Sequence, residues 1–570
     1  MRLDKLTIGS PKDSPTHHFK NLKNVTIDFD QDQWITVVIG WNGSGKSNVM
    51  EALITIFRDL IHDRNPGKKR APEFAFKLLY RMGSGEKTLH ICIDADPDRV
   101  SDQYIIHVAT AVEKKDADAK RKLFSSDDHF DPPPGKALKF NTFVAEDNLY
   151  LPRYVFGYYS GESTRMHEAF VPYLKWYDKS LRGNKYPKLK RLFYALPVHS
   201  HFVLLAFMIK QNDVVRKFLV EELGIDPDEG IESVLFALRQ PPWKSKDGDS
   251  RFWYARGVVR DFLSRLYHIA LAPIRLKRRV DATLWNKATL EFLYLYVKDI
   301  DALLRLVGDQ TPAEFFRDLE STFVSEMIEE VRIRVKLNKN NDSITFRELS
   351  EGEQQLLTVL GLLRFTSGEE SLFLLDEPDT HLNPRWSVDY ISYLEKFAGS
   401  AKKDQETSHI VLTTHNPLSI AELVKEQVQI LQLKRDDTDR QIIACHPELD
   451  PQGQGYAAIV TSDMFGIASS LDKPTQKLLE EQRLYAGKKT LTEEEQKELD
   501  KINKDLDRLG FRFFHPDDEY SRYLRLRSEV LTKRFDTEDV EVLAAHTMEM
   551  TREEREELAE QLIRELDQED

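Results

Sequence analysis

Cysteine is scarce in this sequence of 570 residues, which contains only Cys92 and Cys445. Two cysteines so far apart argue against a disulfide framework and against a cysteine-based metal cluster, and they fit a reducing compartment. Long hydrophobic runs are also missing, since the longest, Phe202 to Ile209, is far short of the roughly twenty residues that span a bilayer. The first residues contain no apolar signal segment. We therefore expect a cytoplasmic protein that has no membrane contact.

The sequence also has no excess of positively charged residues. Asp and Glu outnumber Lys and Arg by 95 to 81, which gives a formal net charge of −14. This balance argues against uniform, nonspecific binding to nucleic acid or anionic lipid, although it leaves room for local basic patches. With 41% hydrophobic and 31% charged residues, the composition is that of a folded protein. The length predicts roughly two to four domains.

One stretch stands out for what it contains, the glycine-rich segment Ile39 to Asn48 (IGWNGSGKSN). A β-branched apolar run, Trp34–Ile39, predicts a buried strand before it, and Val49–Phe57 has helical spacing after it. Such a loop turns its N–H groups toward phosphate oxygens, while Lys46 reaches the β and γ oxygens and the Ser47 hydroxyl ligates Mg²⁺. The pattern therefore predicts a site for ATP and Mg²⁺ that consists of Gly40, Asn42, Gly43, Ser44, Gly45, Lys46, Ser47 and Asn48.

A second motif, Glu348 to Leu357, begins a helix with a small polar residue. Ser350 and Glu353 have the spacing of a capping box, which is sufficient to start any helix, and Gly352 leaves room for the phosphate of a second subunit. The motif lies just before an apolar strand that ends in two carboxylates. This position favours nucleotide binding by Ser350, Gly352 and Glu353.

The two carboxylates follow an apolar strand, Ser371–Leu375. Asp376 is placed to hold Mg²⁺ through a water molecule, and Glu377 to polarise the water that attacks the γ-phosphate. A further strand, His409–Thr414, ends at His415. A lone histidine at a strand end is usually a satisfied turn residue, but its interval after the carboxylates favours a role in sensing the γ-phosphate.

In this order, the four motifs resemble the ATP-binding-cassette (ABC) class of P-loop ATPases. Within that class they are similar to the soluble branch of chromosome-maintenance, RecF-type and OLD-like proteins. The resemblance covers about residues 1–60 and 345–445. It implies that two protomers sandwich two ATP molecules, so that Lys46 of each protomer faces Ser350 and Gly352 of the other.

The resemblance also assigns chemical roles, and the sequence departs from the family in two places. The assignments are Glu377 as catalytic base, His415 as the switch, Ser47 and Asp376 as Mg²⁺ residues, and 380–383 as a partner-contacting loop. The family's metal-contacting glutamine has no clear counterpart, and Glu351 stands where the common signature has glycine, so hydrolysis is expected to be slow or regulated. Beyond His415 we find no glycine-flanked glutamate or Asp-x-Asp pair placed after a strand, so we expect no nuclease centre in this chain.

We expect an α/β fold: an ABC-type ATPase head with an inserted helical lobe and a mainly helical C-terminal extension. The expected divisions are 1–168 for the N-terminal part of the head, 169–330 for the lobe, 331–446 for the C-terminal part of the head, and 447–570 for a helical partner-binding region. Within the lobe we predict helices over Phe202–Leu223, Gly257–Ala272 and Leu290–Val307. No heptad pattern is sustained, so we expect no long coiled-coil arm.

Three surface features have two interpretations each. Two basic clusters fit either a nucleic-acid backbone or solvated helix faces: Lys185, Lys188, Lys190 and Arg191, and then Arg275, Lys277, Arg278 and Arg279. In the final acidic helix, Leu558, Leu562 and Leu566 recur at four-residue spacing. They fit either a solvated helix or a docking stripe for a partner.

The layout as a whole resembles the ATPase subunits of bacterial anti-phage systems, in particular the Septu type, which also accompanies some retrons. That resemblance implies a homodimer or higher homo-oligomer of ATPase heads, assembled with a separate HNH nuclease whose activity depends on the nucleotide state. The alternative is a DNA repair or recombination ATPase of the RecF or SMC type, which clamps duplex DNA. Hydrolysis stimulated by DNA would favour this alternative.

Overall fold

A computed structural model describes residues 1–12, 14–62, 71–115, 135–145, 147–183, 191–281, 287–338, 343–366, 369–398, 407–435, 440–488, 490–511, 518–537 and 539–569. Lys185, Lys188 and Lys190 of the first basic cluster lie outside these residues. The strands, numbered in chain order, are β1 (Arg2–Ile8), β2 (Val25–Asp28), β3 (Ile35–Gly40), β4 (Phe76–Met82), β5 (Leu89–Ala95), β6 (Tyr104–Thr110), β7 (Lys136–Leu138), β8 (Tyr154–Tyr159), β9 (Leu192–Tyr194), β10 (Ile231–Arg239), β11 (Leu271–Asp281), β12 (Lys287–Val297), β13 (Ile328–Lys336), β14 (Ser343–Thr345), β15 (Ser371–Asp376), β16 (Ser408–Thr413), β17 (Val428–Arg435) and β18 (Arg440–Cys445).

The helices lie between and after these strands, and the last six of them follow β18. The helices are α1 (Lys46–His62), α2 (Phe140–Ala145), α3 (Asp147–Tyr150), α4 (Arg165–Arg182), α5 (Val198–Phe207), α6 (Asp213–Lys217), α7 (Gly257–Ile269), α8 (Ile300–Val307), α9 (Pro312–Val324), α10 (Glu351–Thr366), α11 (Pro384–Ala398), α12 (Tyr456–Thr461), α13 (Lys473–Gly487), α14 (Glu493–Arg508), α15 (Asp518–Phe535), α16 (Val540–Glu549) and α17 (Arg552–Glu569). The expected α/β fold class is confirmed. Among the described residues, no helix combines the length and the apolar character that crossing a bilayer requires.

A largely parallel sheet carries the predicted site. Its strand order is β18-β17-β3-β16-β15-β8-β9, and all neighbours pair in parallel except β17 and β18. β15 and β16 are buried along their whole length, as continuous apolar strands covered on both faces should be. Because the carboxyl ends of parallel strands meet at one edge of a sheet, the residues that follow β3, β16, β15 and β8 lie side by side.

Two antiparallel sheets complete the first compact unit, Met1–Gly453. One has the order β2-β1-β4-β5-β6-β7, and the other the order β11-β12-β10-β13-β14. In the first of these sheets β4 alternates buried and half-buried side chains, as expected when one face lies on the core. The second sheet lies within and just after the predicted helical lobe, so residues 169–330 combine helices α4–α9 with strands.

The predicted helix over Leu290–Val307 is wrong in its first half. Lys287–Val297 forms β12, and α8 begins only at Ile300. The run LEFLYLYV in β12 is almost uniformly apolar, so periodicity cannot tell a buried strand from a buried helix there. Antiparallel pairing with β10 and β11 decides in favour of the strand. The predicted helix over Phe202–Leu223 is divided into α5, α6 and a π-helical turn, with a break between Phe207 and Asp213. The predicted helix over Gly257–Ala272 is α7, which ends at Ile269 before β11 begins.

The second compact unit, Gln454–Asp570, is helical. Thr492 and Glu495 form a capping box at the start of α14, and Gly510, with φ +88°, follows the end of that helix. The core of the unit contains Leu484, Leu526, Val530, Leu531, Val540, Leu543, Ala544, Met550, Leu558 and Leu562. Leu558 and Leu562 are therefore internal packing residues rather than a docking stripe, and the side chain of Leu566 lies outside the described part of the chain.

Candidate functional site

The glycine-rich segment forms a tight loop between the end of β3 and the start of α1. Gly43 and Gly45 have φ values of +85° and +94°, a conformation that side-chain-bearing residues rarely adopt. Lys46 is 5% exposed, and its Nζ donates to the carbonyl oxygen of Gly40 at 2.8 Å and to that of Trp41 at 3.4 Å. Burial lowers the pKa of Lys46, while the nearby carboxylates of Glu377 and Asp376 oppose that shift.

A buried hydroxyl in this loop lacks a hydrogen-bond partner. Ser44 is 3% exposed, and its Oγ makes no hydrogen bond among the described residues. An unpaired buried hydroxyl costs about 1–3 kcal/mol, so it fits a ligand that brings its own acceptor. Together with the N-terminus of α1 and the ammonium of Lys46, the loop is suited to bind a triphosphate.

A loop between β1 and β2 supports the phosphate loop through Asn21, which sequence reasoning did not single out. The Asn21 amide donates from Nδ2 to the Gly43 carbonyl at 3.0 Å, and its Oδ1 accepts from Asn48 Nδ2 at 2.6 Å. A Cβ on Gly45 would lie 2.8 Å from the Leu22 side chain. Asn48 therefore acts on the phosphate loop through Asn21, which in turn holds the Gly43 carbonyl. No pattern in the sequence joins Asn21 to the phosphate loop.

Asp376 ends β15 and lies between two neighbours in the sheet. Its register partners are Thr413 on β16 and Tyr159 on β8. The Thr413 hydroxyl donates to Asp376 Oδ1 at 2.5 Å. Burial raises the pKa of Asp376, while hydrogen bonds with Thr413 and Ser47 act in the opposite direction. Because the Ser47 hydroxyl hydrogen-bonds to this carboxylate, the oxygen atoms of both residues are suited to bind one Mg²⁺.

Glu377 contacts His415 at the open edge of the sheet. His415 Nε2 lies 3.1 Å from Glu377 Oε1, and the two side chains are 41% and 30% exposed. The hydrogen bond with His415 lowers the pKa of Glu377, so its carboxylate stays ionised. Glu377 also has φ +52°, a left-handed conformation that costs about 1–3 kcal/mol and persists only where neighbours hold it.

The signature segment has a capping box of its own. Ser350 donates to Glu353 Oε2 from its backbone N at 2.6 Å and from its hydroxyl at 2.8 Å, and the Glu353 N–H donates back to Ser350 Oγ at 3.3 Å. Ser350 is exposed, whereas Gly352 is buried. A Cβ on Gly352 would lie 2.5 Å from the carbonyl oxygen of His381. Packing within the protomer is therefore sufficient to explain why residue 352 is a glycine, without a phosphate at this position.

The second basic cluster lies on β11, not on a helix. Strand alternation puts Arg275, Lys277 and Arg279 on one face and Arg278 on the other. Arg275 donates to Glu291 at 2.9 Å, and Arg278 donates to the Tyr294 hydroxyl at 2.7 Å. The four residues therefore do not form one patch. Lys277 and Arg279 remain together and exposed on one face of the strand.

A His–Asp cluster lies in the loops beside the first antiparallel sheet. His17, Asp96 and Asp98 form the one group of three or more potential metal ligands found in the described ranges of the chain. His17 is fully buried, and its Nε2 lies 2.8 Å from Asp98 Oδ2. Its Nδ1 lies 2.7 Å from Ser10 Oγ, and Lys12 Nζ lies 3.3 Å from Asp96. These bonds already account for the cluster as a link between two loops.

The arrangement as a whole defines a class of protein. A parallel sheet carries a phosphate loop after β3, His415 after β16 and the Asp376–Glu377 pair at the end of β15, in adjacent strands. A signature segment opens α10, immediately before β15 in the chain. A chain with this order of strands and motifs is an ABC-type P-loop ATPase.

Comparisons with known proteins point the same way. The family model "AAA domain, putative AbiEii toxin, Type IV TA system" matches residues 244–421, and "AAA ATPase domain" matches residues 17–150. The chain is 26% identical over 163 residues to the Septu protein PtuA of Bacillus mycoides (strain KBAB4), covering 27% of this chain and 22% of that protein. It is 24% identical over 467 residues to the Retron Vc95 probable ATPase of Vibrio cholerae serotype O1 biovar El Tor, covering 77% of this chain and 75% of that protein.

Among solved structures, the SMC head domain from Thermotoga maritima matches with 11% identity and a TM-score of 0.29, covering 79% of this chain and 100% of that one. The fold class rests on the strand order above and not on that match. The match over residues 244–421 includes the carboxylate and histidine motifs, and the match over residues 17–150 includes the phosphate loop. The chain is thus an ABC-type P-loop ATPase related to the Septu protein PtuA, although the aligned segment spans only 22% of that protein's length.

Proposed function

We propose that this chain is an ATP-hydrolysing regulatory subunit of a bacterial anti-phage defence complex that works in the cytoplasm. The observation that carries the proposal is the 3.1 Å contact between Glu377 and His415, next to Asp376 and near the ammonium of Lys46. A carboxylate beside a phosphate-binding loop supports attack of water on a γ-phosphate. The likeness to a Septu protein and to a retron ATPase supports the defence setting.

In this mechanism, Lys46 leaves the loop carbonyls and donates to the β and γ oxygens of ATP. Ser47 and Asp376 hold Mg²⁺, which supplies charge neutralisation on the phosphates when it is bound. Glu377 orients the attacking water and accepts its proton as the water oxygen bonds to the γ-phosphorus. The bond from that phosphorus to the bridging oxygen breaks, and ADP leaves with the electron pair. His415, hydrogen-bonded to Glu377, donates toward the γ-phosphate and reports whether that phosphate is present.

The heads act as a homodimer or as a higher homo-oligomer built from such dimers. In each dimer two ATP molecules lie between the protomers, and Lys46 of one faces Ser350 and Gly352 of the other. Ser350 is exposed, which supports its availability to a second copy. Glu351, whose side chain is 83% exposed, brings negative charge close to the partner's phosphates. Its repulsion supports slow or regulated turnover.

The chain has no nuclease centre of its own in this proposal and instead controls a separate HNH nuclease. The helical region 447–570 binds that partner. Within the second compact unit, Leu558 and Leu562 are buried, so a partner must use other residues of this region. Because Leu558 and Leu562 stabilise the unit, their substitution should unfold it before it affects partner binding.

The test is a mild affinity purification of the chain, expressed with its native neighbouring genes, followed by mass spectrometry and a nuclease assay with and without ATP. We expect a stoichiometric HNH-type nuclease whose activity changes with ATP. The matched control is a complex that contains Lys46→Ala, whose nuclease should respond only at ATP concentrations about tenfold to a hundredfold higher. Recovery of the chain alone, or a nuclease indifferent to ATP in both complexes, would contradict the proposal.

One observation favours a second candidate function, the DNA-clamping repair ATPase. Lys277 and Arg279 are exposed on the same face of β11, where they could contact the phosphates of a duplex. Each lost phosphate contact should lower the slope of log affinity against log salt by about 1. DNA-stimulated ATP hydrolysis that disappears in Lys277→Glu/Arg279→Glu would favour this candidate over the defence role.

A further inference from the structure

The loop that follows Glu377, residues 378–381, is anchored to the turn that carries His415. Asp379 is 4% exposed, and it accepts hydrogen bonds from the hydroxyls of Thr414, at 2.6 Å, and Ser419. The Thr414 hydroxyl in turn accepts from the Asn416 N–H at 2.8 Å. These bonds involve the residues on both sides of His415, so Asp379 fixes the backbone from which the imidazole projects.

The same loop is anchored on its other side through Thr380. The Thr380 hydroxyl donates to the Glu377 carbonyl at 2.9 Å and accepts from the Ser160 hydroxyl at 3.1 Å. Ser160 follows β8, and its N–H donates to the Asp376 carbonyl at 3.3 Å. Ser160 therefore holds the main chain of the carboxylate pair at two points. Its N–H bonds directly to the Asp376 carbonyl, and its hydroxyl acts on the Glu377 carbonyl through the Thr380 hydroxyl.

The bonds matter because Glu377 has a conformation that its neighbours must maintain. Its φ of +52° is unfavourable for a residue with a side chain. Its N–H donates to both the carbonyl and the hydroxyl oxygen of Thr413, at 3.1 and 3.0 Å. The Thr413 bonds fix the start of the residue and the Thr380 bond fixes its end. Together they set the direction in which the Glu377 carboxylate projects.

We propose that Asp379, Thr380 and Ser160 are positioning residues, which hold His415 and Glu377 in the contact needed for ATP hydrolysis. None of the three has to touch ATP to do so. The inference rests on the proposed function, in which Glu377 activates water. It adds that turnover depends on two hydrogen-bonded supports, one for His415 through Asp379 and one for Glu377 through the Ser160–Thr380 pair.

The test measures kcat and ATP affinity for the full chain carrying Thr380→Val, Ser160→Ala or Asp379→Asn. We expect ATP affinity within about twofold of wild type and kcat lowered about tenfold, as for one lost positioning hydrogen bond. Thr380→Ser, which keeps the hydroxyl, should restore kcat to within about twofold of wild type.

A matched control exists elsewhere in the chain. Thr88 lies in the turn between β4 and β5, and its hydroxyl donates to the carbonyl of Gly85, three residues earlier, at 2.8 Å. Thr380 makes the same kind of bond to the carbonyl of Glu377, also three residues earlier. Thr88→Val should therefore leave kcat unchanged. Asp379 is buried, so the Asp379→Asn variant can fail to fold. The Thr380→Val variant then still tests the inference, because Thr380 is exposed and its substitution should not disturb the fold.

Glu377→Gln separates the two possible failures. Normal kcat in Thr380→Val and Ser160→Ala, with Glu377→Gln inactive, would overturn this inference and leave the proposed function intact. A reduction of kcat in Thr380→Ser as large as the reduction in Thr380→Val would also overturn this inference. Normal turnover in Glu377→Gln would instead remove the proposed role of Glu377, on which the inference depends.

Discussion

Lys46→Ala offers the most quantitative test of the phosphate loop. The Lys46 ammonium lies 2.8 Å from the Gly40 carbonyl and 3.4 Å from the Trp41 carbonyl, in a side chain that is 5% exposed. When ATP binds, this ammonium exchanges two neutral acceptors for charged phosphate oxygens. A hydrogen bond to a charged group contributes about 1.5–3 kcal/mol. At 1.4 kcal/mol per factor of ten, its loss weakens ATP binding by about tenfold to a hundredfold.

Isothermal titration calorimetry with Mg²⁺ and ATP measures this change directly. Lys87, exposed in the turn between β4 and β5, provides a matched lysine-to-alanine control that should keep the wild-type affinity. An unchanged Kd in Lys46→Ala would refute the assignment of the phosphate loop. An equal loss in both variants would show that the effect is not specific to the loop.

Three further predictions concern the same face of the molecule. Ser350→Arg should leave the fold intact but block the ATP sandwich, and an ATP-dependent dimer that persists in light scattering would contradict this. Trp41 is 66% exposed, so ATP-driven dimerisation should shift tryptophan emission to shorter wavelength, and Trp41→Phe should lose that shift. Asp376→Ala should weaken ATP binding in Mg²⁺ by about tenfold or more but have little effect in EDTA. Equal weakening in both buffers would argue against Asp376 as a metal residue.

The sequence was sufficient to predict the parts of the site that are contiguous. The phosphate loop, the Asp376–Glu377 pair and His415 each follow an apolar strand, and three of the strands in the central sheet have this clear pattern. Their order along the chain then predicts that they meet, because parallel strands share an edge. The Ser47–Asp376 bond agrees with that expectation, although the residues are far apart in the sequence.

The supports of the site could not be predicted in this way. Ser160 and Thr380 are 220 positions apart, and serine and threonine are too common in turns for either residue to indicate a contact. Asn21 shares this difficulty, since only the packing of the β1–β2 loop brings it to Gly43. Gly352 is a different case. The sequence predicts a glycine there to leave room for a phosphate, whereas the structure shows that a Cβ at this position would also collide with the His381 carbonyl oxygen.

The strands within the predicted helical lobe show where periodicity alone fails. β12 has apolar and aromatic side chains on both faces, and its two edges pair with β10 and β11. A window of such residues is compatible with either a helix or a strand. One partner, β11, directly precedes β12 in the chain, while its partner residues in β10 lie more than fifty positions earlier, and these two pairings decide the structure of β12.

Phosphate release by Glu377→Gln, measured beside the wild type at saturating ATP and Mg²⁺, tests most directly whether Glu377 is the base for ATP hydrolysis. Glutamine keeps the size of the side chain and removes its ability to accept a proton. We predict ATP affinity within about twofold of wild type and turnover lower by about a hundredfold or more, the usual contribution of a general base. Turnover equal to that of the wild type, with ATP bound, would contradict the assignment of Glu377 as the catalytic base.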